Sequence, residues 1–404
     1  MLLSRLIVLI PCIAIASGSL TELESRATAL KAKGDAAGAL AAYREAAALD
    51  EKSARIQDEI GFLLAVLKQR DPAIASFQHA LDLDPRYAPA QYHLGVALWL
   101  AKDPDGSIPH LQSAAALEPG NASYQSKLGE ALLSNRQALE ALPHLQSVTT
   151  LQPRDANAWD RLGAALERTG DALGAVDAYQ RAVDLAPANN NARNDLGMML
   201  VNTRRPLEGI AQFEKVLAAD PANNTARLNI GFAHLQKREL DQAIAAFRDV
   251  ISRDPNMAAA HYNLGVALKD RDDIDGAIVE FRRALVIDPQ LAEAHYMLGI
   301  AFWQSGEFDP AAASMRAAIA ARPDYADAYF MLGAALKQKG DIAPAKDALR
   351  TAIRLDPGNP GPYNTLAQML RQNGEIEESK RLFAEGARVK QNKEAELGTM
   401  LQRK

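Results

Sequence analysis

The sequence predicts an all-α solenoid, a stack of two-helix hairpins, and three observations predict it. The first is a 34-residue period. Steps of that length from Gly265 land on Gly61, Gly95, Gly129, Gly163, Gly197, Gly231, Gly299 and Gly333, with Ala27 and Ala367 at the two ends. The second is that apolar tracks keep the same phase. Leu or Ile precedes each of these positions from Ile60 to Leu366, a small residue recurs at the Ala277 position, and a bulky one at the Phe281 position. The third is a proline track, Pro85, Pro119, Pro153, Pro187, Pro221, Pro255, Pro289, Pro323 and Pro357. A fixed period of this length marks a repeat architecture in which each unit leans on its neighbours.

One period, Ala258–Leu291, shows the logic. Leu264, Val266 and Leu268 fall among the apolar positions of a first helix, and Ala277, Phe281, Ala284 and Leu285 recur at helical spacing in a second. Neither helix buries its apolar face alone. Small residues at Gly265 and Ala277 let the two helices approach, and Phe281 is expected to fill the gap against the next repeat. Asp275 is expected to cap the second helix. Pro289 cannot continue that helix and so sets the turn to the following repeat. Acidic residues recur at the turn inside the hairpin, at Asp71, Asp105, Asp171, Asp241, Asp275, Asp309 and Asp341, where they suit the positive end of a helix better than catalysis.

In chain order, residues 1–18 come first, MLLSRLIVLIPCIAIASG. Arg5 precedes an apolar run from Leu6 to Ala16, and Ala14-Ile15-Ala16 is a small-x-small end, the pattern of a secretory signal peptide. The expectation is export to a periplasmic or extracellular space; a retained N-terminal anchor is the alternative. Cys12, the only cysteine, lies inside this segment. Leu20–Ser53 reads as a degenerate first repeat, with Arg26 and Glu51 where Leu and Pro are expected, as suits a terminal cap. The solenoid spans residues 20–393, with repeats starting near 20, 54, 88, 122, 156, 190, 224, 258, 292, 326 and 360. Gln391 replaces the stopping proline, so the last helix is expected to run on toward Met400, with residues 394–404 ending a polar capping helix.

The period, with its L-G, A, F and P tracks, resembles the tetratricopeptide repeat family over residues 20–393. The aromatic expected early in that motif is held by Trp159, Tyr329 and Tyr363, with His261 and His295 in the same slot, but Gln57, Gln91, Gln125, Arg193 and Arg227 break the pattern. The AHYNLG and AHYMLG wording is similar to the repeat region of O-linked N-acetylglucosamine transferases, without their catalytic domain. The resemblance implies a right-handed superhelical solenoid of about eleven helix-turn-helix repeats, whose first helices line a concave groove.

Composition bears on function by exclusion. The net charge of −5 argues against a general nucleic-acid binder, which shows a basic face. The charge is uneven: residues 330–404 are net positive and the remainder net negative. No phosphate loop, serine nucleophile motif or HExxH helix occurs in the sequence. His261 and His295, like His110 and His144, hold equivalent positions in adjacent repeats, roughly 8–10 Å apart. That is too wide to share a zinc ion through bonds of about 2 Å. Neither a metal nor a small-molecule cofactor is expected.

On the first helix, the residues three before the Gly track and one and four after it share a face. In the last repeats these are Tyr262, Val266 and Lys269; Tyr296, Ile300 and Trp303; Phe330, Ala334 and Lys337; and Asn364, Gln368 and Arg371, with Asn229 and Asn263 one residue further along. Aromatics with flanking cations suit a peptide or helix carrying apolar anchors and some negative charge. Packing between neighbouring first helices is the alternative reading of the same rings. A second set is Tyr92, Val96 and Trp99, and between the two sets Asp160 and Glu167 make the row acidic. The Lys and Asn pair that some family members use to clamp chaperone tails is missing from the matching positions. The sequence therefore points to a non-catalytic scaffold binding a protein or peptide partner. The alternatives are a subunit of a cell-envelope secretion, pilus or polysaccharide-export assembly, hence a possible membrane-associated complex, and the repeat arm of a glycosyltransferase acting in trans.

Overall fold

A computed structural model describes residues 19–402, with side chains to residue 395; the signal peptide expected at residues 1–18 lies outside the described residues. All regular structure among them is helical. The first helices of the hairpins are α1 (Leu20–Ala32), α3 (Ala54–Val66), α5 (Ala88–Leu100), α7 (Ala122–Ser134), α9 (Ala156–Thr169), α11 (Asn190–Asn202), α13 (Asn224–Gln236), α15 (Ala258–Asp270), α17 (Ala292–Gln304), α19 (Ala326–Lys339) and α21 (Pro360–Gln372). Their partners are α2 (Ala36–Leu49), α4 (Arg70–Leu83), α6 (Pro104–Leu117), α8 (Ala138–Leu151), α10 (Ala172–Leu185), α12 (Pro206–Ala219), α14 (Leu240–Arg253), α16 (Ile274–Ile287), α18 (Phe308–Ala321), α20 (Ile342–Leu355) and α22 (Ile376–Gln402). The chain divides into two compact units, meeting between Ala192 and Arg193. In each, a helix packs on its hairpin partner and on the hairpin that follows. Among the described residues no helix is long and apolar enough to cross a membrane.

The glycine track carries the closest contact of each hairpin. A Cβ placed on Gly265 would lie 2.7 Å from ring carbons of Phe281, and one on Gly231 would lie 2.5 Å from Phe247 Cε1. The same relation joins Gly61 to Phe77, Gly163 to Tyr179 and Gly333 to Leu349. This revises the expected direction of the bulky track: Phe281 is fully buried over the glycine of its own repeat, sixteen residues earlier. Where the small residue of the second helix is serine, its hydroxyl donates to the carbonyl on the glycine track, Ser107 Oγ to Gly95 O at 2.7 Å and Ser379 Oγ to Ala367 O at 2.8 Å.

The turn inside each hairpin is a helix stop followed at once by a helix start. Asp273 N–H donates to Leu268 O at 2.9 Å, and the same bond closes the turn at Asp103 to Leu98, Gln137 to Leu132 and Glu307 to Phe302. Closing it needs one residue in the left-handed region, the geometry of a Schellman stop. Glycine fills that place at Gly34, Gly170, Gly306, Gly340 and Gly374, but Lys68, Lys102, Arg136, Arg204, Arg238 and Asp272 also adopt it. The start differs in detail from expectation. Asp273, two residues before Asp275, is the N-cap of α16 and accepts from Gly276 N–H. Asp35, Asp103 and Asp171 cap in the same way, each three residues before a glycine. Asp71, Asp105, Asp241, Asp275 and Asp309 sit in the first turn, where their charge meets the helix dipole. Asp341 holds the N-cap position of α20 without a side-chain cap bond.

The turn between repeats is fixed from both sides. The aspartate before the proline accepts a backbone N–H two residues on, as Asp288 does from Gln290 and Asp84 from Arg86. The proline's carbonyl then accepts a bond from the slot that the family motif gives to an aromatic. His261 Nε2 meets Pro255 O at 3.1 Å, His295 Nε2 meets Pro289 O at 3.0 Å, and Trp159 Nε1 donates to Pro153 O at 3.1 Å. Gln91, Gln125 and Arg227, which looked like gaps in the track, make the same bond to Pro85, Pro119 and Pro221. In these six repeats the slot supplies an N–H to the proline carbonyl, a bond that does not need a ring.

Two hydrophobic clusters run through the hairpins up to Ala178. Two more lie in the second unit, the larger extending from Ala243 to Leu382. At the far end α22 passes Gln391 without a stop and continues to Gln402.

The contact under Phe281 predicts that Gly265→Ala destabilises the protein by about 1–3 kcal/mol, the usual cost of overfilling a packed core. Urea unfolding of the variant measures it. An unchanged midpoint would mean that the ring moves aside freely.

A candidate binding face on the first helices

In the second unit α15, α17, α19 and α21 form a continuous layer, each touching the next. Their sequence-selected residues therefore stand in rows. In the row three before the glycine track, Tyr262, Tyr296 and Phe330 are all half-buried and rest on the core cluster. The Tyr262 ring centroid lies 6.0 Å from that of Phe281, and Tyr296 lies 5.0 Å from Tyr325 in a tilted pair. Phe330 rests on Gly361, where an added Cβ would come within 3.0 Å of its Cζ. The next row is Val266, Ile300 and Ala334, also half-buried. The two readings of the rings thus meet in one arrangement, with one side of each ring in the core and the other on the surface.

The row four after the glycine track is the most open. Trp303 keeps 37% of its surface exposed, and Arg371 is exposed. Lys337 Nζ lies 3.3 Å from the neutral Gln368 Oε1. Lys269 Nζ pairs with Asp270 at 2.7 Å, and Asp270 is shared with Arg238 at 3.4 Å. Asn229 and Asn263 are half-buried beside these rows.

Burial raises the hydroxyl pKa of Tyr262 and Tyr296, with Glu293 adding to the effect at the first and Asp327 at the second. Tyr325 is pushed up to about 12, chiefly by burial. These phenols stay neutral and serve as rings with a polar tip.

The helical period alone did not show two parts of this face. Tyr325 lies in the turn before α19, where Arg322 stacks 4.5 Å from its ring centroid while pairing with Glu293. Leu228 and Phe232 on α13 extend the apolar rows by one repeat and are half-buried; stepping the same positions back one period finds them.

The corresponding face of the first unit has a different character. Tyr92 stacks on Tyr124 with centroids 4.7 Å apart, and Val96 and Trp99 pack beside the core cluster. Asp160 has a buried carboxylate oxygen without a hydrogen-bond partner, and burial raises its pKa against the opposing charge of Arg161. Glu167 accepts the hydroxyl of Tyr179 at 3.0 Å.

His93, His110, His144, His234, His261 and His295 serve as fixed hydrogen-bonding groups. His93 Nδ1 lies 2.8 Å from the buried Asp58, and His261 Nδ1 lies 2.7 Å from Glu280. His110 and His144 lie 2.7 Å from Gln91 and Gln125 and so hold those glutamines in their own slots. No group of three or more metal-ligating side chains gathers among the described residues.

The profile of the tetratricopeptide repeat family matches residues 63–122, 126–190, 194–256, 233–292 and 296–360, well over half of the sequence, and the chain belongs to that family. No curated protein matches it. Among solved structures it is similar to yeast Tom70 (17% identity, TM-score 0.50), with 95% of this chain and 96% of that one covered. It is similar also to a tetratricopeptide repeat protein of Parabacteroides merdae (15% identity, TM-score 0.56, 62% and 98% covered). MamA is 29% identical over 41% of this chain and 97% of its own, with a TM-score of 0.40.

Burial lowers the pKa of His110 and His144, so the native state binds fewer protons there than the unfolded chain. Their contribution is present above the unfolded value of about 6.5 and is lost as pH falls through the lower native values. The melting temperature should therefore drop between pH 7 and pH 5, and the double replacement His110→Gln with His144→Gln should make that drop smaller. A pH series of thermal melts on both proteins checks it.

Proposed function

We propose that this is a non-catalytic scaffold that binds a peptide or helix of a partner protein along the first helices of the second unit. The observation that carries the reading is Trp303, a large ring left more than a third exposed on the same face as a row of half-buried aromatics. A tryptophan with apolar neighbours and nearby cations is the side-chain type that dominates binding energy at interfaces. The mechanism is equilibrium binding: rings already seated on the core present a surface that costs little to order.

Peptides selected from a random library on the full chain test it. Trp303→Ala should weaken them by about tenfold or more, the cost of losing an interface anchor, while the melting temperature stays near that of the parent. Tyr296→Ala should lower stability as well, because its ring also packs on Tyr325. Peptides indifferent to Trp303 would overturn the proposal.

The apolar run Leu6–Ala16 supports export, and with it a role in a cell-envelope assembly. N-terminal sequencing of the protein from its native cells should find a start just after Ala16 or Gly18. A start at Met1 would defeat that part of the reading.

A further inference from the structure

Resting on that binding reading, we propose that the guest is an amphipathic helix whose carboxylates repeat every seven residues beside an apolar stripe. The row four after the glycine track reads Lys269, Trp303, Lys337 and Arg371 through the last four repeats. Cations suit the C-terminal end of a helix, but the helix end does not demand them here. The four preceding repeats carry Leu133, Glu167, Val201 and Leu235 at the same position. Nor does the protein fully neutralise the row. Lys337 meets only a neutral amide, Arg371 is exposed, and Asp270 is divided between Lys269 and Arg238.

The acids of α17 and α19 lie at the other end, while Asp270 of α15 stands beside Lys269 on the cation edge. Glu293 and Asp327 stand ten residues before Trp303 and Lys337, about 15 Å along the axis. Glu293 is already held by Arg322. Asp270 apart, the face is polarised, with cations and Trp303 on one edge, the aromatic and aliphatic rows in the middle, and acids on the far edge.

The spacing of the guest follows from geometry. Helices in contact lie about 8–10 Å apart, and a guest helix rises 1.5 Å per residue. At the wide end of that range, one that crosses the layer meets a new first helix about every 7 residues, just under two turns, and shows it nearly the same side. Opposite Lys269, Trp303, Lys337 and Arg371 its complementary pattern is acid, apolar, acid, acid at steps of seven. Leucines three or four residues from these positions cover Tyr262, Tyr296 and Phe330.

The test uses two synthetic helical peptides of about 28 residues, four heptads to match four repeats. They share the leucine stripe and the central apolar residue, and carry either Glu or Lys at the three charged positions. Each is titrated calorimetrically into the full chain. The Glu peptide should bind at least tenfold tighter than the Lys peptide, the gap should shrink with added salt, and Lys337→Glu with Arg371→Glu should reverse the order. Circular dichroism of each variant checks that it is folded. Equal affinities for both peptides, or no binding of either, would overturn the acidic guest. If equal affinities both fall with Trp303→Ala, the binding face itself survives. If neither peptide responds to Trp303→Ala, the binding reading fails with the inference.

Discussion

A bulky side chain lying on a glycine sets the distance between the two helices of a hairpin, and the rest of the structure depends on that contact. At Gly265 and Phe281 there is no room for a β-carbon between backbone and ring. The hairpin so formed still has an uncovered apolar side. Only the next hairpin covers it, and this is why the period persists so far along the chain. The Schellman turn within a repeat and the aspartate-proline turn between repeats then fix where each helix begins.

Much of this is legible in the sequence because the constraints are strong and repeated. Glycine under a ring, proline at a helix stop and small residues between close helices each admit few alternatives, so they appear as unbroken tracks. What the sequence hid were constraints that several residue types satisfy. His261, Trp159, Gln91 and Arg227 look unrelated, yet each places an N–H against the carbonyl of a proline. The true cap of α16, Asp273, was masked by the neighbouring Asp275, because spacing from the next apolar residue does not tell an N-cap from a first-turn acid. The packing direction of Phe281 was equally hidden, since periodicity gives the buried face but not which neighbour covers it.

The candidate site was legible to a smaller extent. Helical spacing brings Tyr262, Tyr296, Phe330 and Trp303 to one side of their helices. It does not say how deeply each ring sits. That depth comes from neighbours outside the helices: Tyr325 in a turn beside Tyr296, and Gly361 beneath Phe330. The row four after the glycine track varies from Glu167 to Trp303 to Arg371 while the glycines and prolines around it stay in phase. Positions the frame does not need are free to carry recognition.

The local character of these contacts has a mechanical consequence. Each bulky side chain of the track rests on a glycine sixteen residues away, and each hairpin leans on the one beside it, so among the described residues no strut ties distant parts of either unit. Pulled from its ends, such a unit has no single clasp whose rupture frees everything. It would peel from an end, one hairpin after another, and could re-zip in the reverse order when the load is removed, behaving as a reversible spring.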